Sequence, residues 1–111
     1  MTHIYYDAEG LELEVNGHAN AGQMGEDIVC AAISILTQTL LQNLKIAQER
    51  EKFRMDYEYG TPGEFRVKVH TWVNFYELQD MFSFVMVGLT MLENNYPEYI
   101  KIEEGRYDGN L

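Results

Sequence analysis

The chain has 111 residues, 46% of them hydrophobic and 23% charged, which is the make-up of one folded globular domain and excludes disorder along most of its length. A single cysteine excludes an intrachain disulfide and any structural zinc site that needs two or more thiolates. Eight Lys and Arg against 18 Asp and Glu give a net charge of −10, so direct nucleic-acid binding is disfavoured and a basic partner is favoured.

Residues 2–7 and 11–16 read as two strands joined by a short hairpin at Ala8-Glu9-Gly10. In the second, Leu11, Leu13 and Val15 alternate with Glu12, Glu14 and Asn16, the period of a half-buried strand. Residues 17–25 follow as a loop with three glycines. A long helix then starts near Asp27, a residue suited to the cap or the first turn, and runs to about Arg50. Val29, Ile33, Leu36, Leu40, Leu44 and Ala47 form one apolar stripe along it, and Ile28, Ala32, Ile35 and Thr39 form a second. Two stripes predict a helix covered on more than one side, by a sheet and by another helix or subunit.

Residues 52–71 read as a hairpin. Phe53, Met55, Tyr57 and Tyr59 alternate with charged residues, Gly60-Thr61-Pro62-Gly63 turns the chain, and Phe65, Val67 and Val69 alternate again. A second helix spans 74–95, with Phe75, Leu78, Phe82, Val85, Leu89 and Leu92 as its packing seam, and ends before Pro97. Residues 99–103 read as a last, edge strand. The expectation is one α+β domain over 1–104, mostly antiparallel, in the order β-β-α-β-β-α-β, with two long helices packed against or between sheet layers and a flexible tail at 105–111.

No apolar run is expected to reach the roughly 18–20 residues of a membrane span, the longest candidate being 81–92, broken by Ser83, Gly88 and Thr90. The start, Met1-Thr2-His3-Ile4, lacks the basic and apolar regions of a signal peptide. These features point to a cytoplasmic protein, away from membranes, with its thiol kept reduced.

Two residues carry the chemistry, His18 in the glycine-bearing loop and Cys30 in the helix that the loop feeds. Unpaired N–H groups and the positive end of the helix dipole favour a thiolate there and can hold an oxyanion, and the loop can bring the imidazole to the sulfur. The plainer alternative is a small core cysteine and a solvated histidine. Asp27 either caps the helix or orients His18. Ser34, one turn beyond Cys30, either bonds the histidine or substrate or back-bonds to its own helix. A zinc site from His3, His18 and His70 has no supporting spacing, so neither a metal nor a cofactor is expected. Tyr57 and Tyr59 either line an extended-peptide groove or pack as ordinary strand residues.

Asn16-Gly17-His18-Ala19 followed by Gly25-Glu26-Asp27-Ile28-Val29-Cys30-Ala31-Ala32-Ile33-Ser34 resembles the signature of the ribosomal-processing cysteine proteases called Prp. That signature is a Gly-His-Ala loop, then Gly-x-Asp-Ile-Val-Cys-Ala-(Ala/Gly)-x-Ser opening a helix, and the likeness extends to Tyr96-Pro97-Glu98-Tyr99-Ile100. The resemblance implies a homodimeric cysteine endopeptidase, with Cys30 as nucleophile and His18 as base, supported by Gly17, Ala19, Asp27 and Ser34. It implies as substrate the N-terminal segment of a precursor of a large-subunit ribosomal protein, the twenty-seventh in the usual naming. Related members in prophages mature capsid or scaffold proteins, and a non-catalytic dimeric binding module on the same fold is the remaining alternative.

Overall fold

A computed structural model describes residues 1–17, 24–60, 64–71 and 73–105. The elements are β1 (Thr2–Asp7), β2 (Glu12–Asn16), α1 (Met24–Arg50), β3 (Arg54–Tyr59), β4 (Phe65–His70), α2 (Phe75–Asn95) and β5 (Ile100–Glu104). This is the expected order and class. The strands form one five-stranded sheet, β3-β4-β2-β1-β5. Three of its four pairings are antiparallel, and β5 lies parallel to β1, with Ile4 opposite Ile102. The sheet is therefore mixed. A parallel neighbour needs a long crossover, and α2 supplies it.

Alternation decides which face each strand buries. Ile4, Tyr6, Leu13, Val15, Phe65, Val67, Val69 and Ile100 point to one face and are buried there. The helices cover that face with Val29, Ile33, Leu40, Leu41 and Leu44 from α1 and Leu78, Phe82, Val85, Met86 and Leu89 from α2. In the single chain the helices thus lie against one sheet and not between two. The other face is polar, and Arg66 sits on it between Glu12 (3.1 Å) and Glu14 (3.7 Å).

The two helices touch where Gly88 of α2 meets Leu36 of α1, since a Cβ at position 88 would stand 3.0 Å from both methyls of Leu36. α1 lies beside β3, with Lys45 Nζ 4.6 Å from the Tyr57 ring centre and Gln48 Nε2 donating to the Phe53 carbonyl at 3.0 Å. α2 lies over β1 and β5, with Phe82 stacked on Tyr6 at 6.2 Å and Gln79 Nε2 donating to the Ala8 carbonyl at 2.9 Å.

Several expectations shift. α1 starts three residues before Asp27, which makes Asp27 an exposed first-turn residue and not the cap. Of the second stripe on α1, Ile28 and Ile35 remain exposed, so this face is uncovered in the single chain. By length and composition Asp27–Arg50 is apolar enough to cross a membrane, contrary to the expectation that no such run exists, although its buried side chains serve the core described above. Gly105, placed at the start of the tail, donates its N–H to the Tyr6 carbonyl and continues the β5 ladder. The rest of the tail, 106–111, and the turn residues 61–63 lie outside the described residues.

Candidate active site

Cys30 is the seventh residue of α1, half-buried, with a free thiol. The expectation placed it one turn from the helix start. The earlier start puts it nearly two turns in, and a helix dipole acts chiefly within the first turn. Its setting therefore depends on what the sheet brings to it.

The sheet brings one end. β1 begins, β2 ends, β3 ends and β4 begins beneath the first half of α1, and a cavity of about 300 Å³ opens between them. Cys30, Ser34 and Gln38 line its helical wall at successive turns of one face. Thr2, Val15 and Gly17 line the β1–β2 side, while Tyr59 and Phe65 close the hairpin side. Gly17 has φ 98°, and a Cβ there would lie 2.6 Å from the Met1 carbonyl oxygen, so only glycine fits this bend. The residue that follows this bend is His18.

Of the predicted site residues, Gly17, Cys30 and Ser34 meet in this cavity. Asp27 does not line it. His18 and Ala19 lie outside the described residues. Among the described residues no cluster of His, Cys, Asp and Glu could hold a metal. Thr37, which also lines the cavity, is buried, and its one hydroxyl proton is shared between the carbonyls of Ile33 (3.0 Å) and Ser34 (3.2 Å), which fixes the helix wall.

Sequence reasoning passed over Gln38 and Glu64, which also line the cavity. Gln38 could have been found, because a residue eight after Cys30 returns to the same helix face. Glu64 could not, since its place depends on where the hairpin tip lands. Glu64 also borders an adjoining polar cavity of about 480 Å³ shared with Glu14 and Glu58, so one rim of the site is acidic. A larger cleft, about 1030 Å³, lies at the opposite end of α1 between Gln48, Phe53, Lys68 and His70, and contains no cysteine.

No curated protein matches the chain. The essential ribosomal processing protease Prp from S. aureus has been solved with a substrate peptide. It superposes with a TM-score of 0.76 at 24% identity, over 95% of this chain and all of the other, a likeness of fold. The same protease carrying a covalently linked product peptide gives 0.71 at 26% identity, over 94% of this chain and 97% of that one. A Streptococcus mutans protein gives 0.69 at 25% identity, over 93% and 90%. The family model described as cysteine protease Prp matches residues 1–101, and the chain therefore belongs to the Prp family of cysteine proteases.

Proposed function

We propose that this chain is the endopeptidase that removes the N-terminal extension of the twenty-seventh large-subunit ribosomal protein, with Cys30 as nucleophile and His18 as general base and acid. The observation that carries the reading is the cavity that joins Cys30 to Gly17, the glycine-only bend that leads into His18. The S. aureus protease has been solved with a covalently linked product peptide, which is in keeping with the covalent intermediate through which nucleophilic catalysis by a thiol passes.

In the proposed cycle the Cys30 thiolate attacks the scissile carbonyl carbon, and a C–S bond forms as the carbonyl becomes an oxyanion. The C–N bond then breaks while His18 gives a proton to the leaving amine. Water, losing its proton to His18, attacks the thioester, and the acid product leaves as the thiolate returns. Ser34 shares the Cys30 wall of the cavity and is placed to bond the substrate.

We further assign the working form as a homodimer in the cytoplasm, where a reduced thiol persists and ribosomes assemble. The exposed Ile28 and Ile35 of α1, with Phe84, Val87 and Met91 of α2, give the helical layer an apolar outer face suited to a second copy. Acidic residues around the cavity suit a basic ribosomal-protein precursor.

The test is mass spectrometry of the ribosomal-protein precursor after incubation with wild type and with Cys30→Ser. Wild type should release the extension, and Cys30→Ser should lower the rate by on the order of 10⁴-fold or more. Processing by Cys30→Ser at the wild-type rate refutes the assignment. A precursor left intact by wild type, with a phage capsid or scaffold protein cleaved instead, redirects the same chemistry to that substrate.

A further inference from the structure

The sheet has two edges, and one of them starts at the Cys30 cavity. Tyr59, the last residue of the edge strand β3, lines that cavity. From there β3 runs back along α1. Tyr57 and Tyr59 stack at 6.4 Å, Lys45 Nζ lies over the Tyr57 ring, and the Gln48–Phe53 hydrogen bond closes the far end. The six residues of β3 span about 20 Å from the Cys30 cavity.

The register shows what the strand presents outward. Val69 donates to the Leu11 carbonyl, so the odd-numbered residues of β4 bond toward β2 and Arg66, Lys68 and His70 bond toward β3. Their partners in β3 are Glu58, Asp56 and Arg54. The backbone N–H and C=O groups of Met55, Tyr57 and Tyr59 therefore face away from the sheet. Among the described residues no side chain hydrogen-bonds to them. The same three residues turn their side chains to the helix face.

We propose, on the basis of the protease reading above, that the substrate binds by adding a strand to β3. About six residues on one side of the scissile bond lie extended along this edge. They exchange main-chain hydrogen bonds with Met55, Tyr57 and Tyr59, and they set alternate side chains on the Tyr57–Tyr59 platform beside α1. The occupant is the substrate because the edge continues directly into the Cys30 cavity through Tyr59. Every second substrate amide is then a donor to the edge, and the side chains resting on the two tyrosine rings are apolar or aromatic.

The test is an N-methyl scan of a synthetic peptide spanning the junction of the ribosomal-protein extension, cleaved by wild type. Methylation removes one amide donor at a time. On one side of the scissile bond kcat/KM should fall about 3- to 10-fold at every second position and little between. Tyr57→Pro removes an outward N–H without touching the β4 ladder, and it should erase the alternation at the position facing it. Hydrogen exchange on Cys30→Ser provides a readout free of catalysis, with the peptide slowing exchange at Met55, Tyr57 and Tyr59. Cys30-dependent cleavage with no period-two pattern overturns strand addition and leaves the protease assignment standing. Protection of these amides that follows protein concentration and not peptide gives the edge to a second copy and also overturns it. Absence of Cys30-dependent cleavage removes the underlying reading, and this one falls with it.

Discussion

At one edge of the sheet, β5 faces outward under α2, and the Glu93 carboxylate accepts the N–H of Ile102 at 2.8 Å. Because Gly105 donates inward to Tyr6, residue 102 points away from β1, and Glu93 is thus occupying an edge donor. At the other edge, β3 turns Met55, Tyr57 and Tyr59 outward with no such guard among the described residues. Exposed strand edges invite pairing, and proteins commonly blunt them with charge or cover. Both edge strands carry charged side chains, so the distinction is the Glu93 acceptor, which occupies an outward donor of β5, whereas the outward groups of the β3 edge that begins at the Cys30 cavity have no side-chain partner among the described residues. The difference separates a half of the molecule built for stability from a half available to a ligand.

The comparison is tested hardest in the core. Phe82 is fully buried and stacked on Tyr6, while Met55 on the β3 side is only half-buried. Phe82→Ala should cost about 3–5 kcal/mol in urea unfolding. Met55→Ala should cost no more than about 2 kcal/mol. Equal losses would show that the β3 half is supported as firmly as the β5 half and would break the contrast.

A smaller effect tests the guard itself. Glu93→Ala leaves the Ile102 N–H without its acceptor and should cost about 1 kcal/mol, while Glu93→Gln keeps a carbonyl acceptor and should retain most of it. Sedimentation should show Glu93→Ala forming assemblies larger than the wild-type species at concentrations where wild type forms none. If both variants sediment as wild type does, Glu93 is a local staple and the edge needs no guard.

Much of this division is legible in the residues. Strict alternation in Leu13, Val15, Val67 and Val69 marks the buried face of the sheet, because a pleated strand offers only two directions. The 3-and-4 spacing of Leu78, Phe82, Val85 and Leu89 marks the seam of α2. Alternation does not say which strands become neighbours, so β5 lying parallel to β1 came only with the fold. Asp27 suits a cap and a first turn equally well, so the residues alone leave the start of α1 open by three positions. At the site, the helix period could place Ser34 and Gln38 on the Cys30 face. Nothing local could place Thr2, Tyr59 or Glu64 there, since their meeting depends on two hairpins ending at the same side of the sheet.

The smallest effect concerns Tyr6, which belongs to the guarded half and has its counterparts in the open Tyr57 and Tyr59. Burial, and to a smaller degree the nearby Glu104 and Asp7, push its phenol above the ordinary tyrosine value of about 10, while a hydrogen bond with Ser83 works against them. The folded state therefore holds this proton more tightly than the unfolded chain does. The stabilisation is complete below the unfolded value and declines as pH rises from there through the folded one. Tyr6→Phe has no such proton to lose. At neutral pH it should be less stable by about 1 kcal/mol, the size of one lost hydrogen bond. Between about pH 9 and 11 the gap between wild type and variant in urea midpoint should narrow. Reading the difference cancels the other seven of the eight tyrosines. A gap that stays constant across that range would mean the Tyr6 hydroxyl reaches water freely, and the closed half would be no better sealed at this point than the open one.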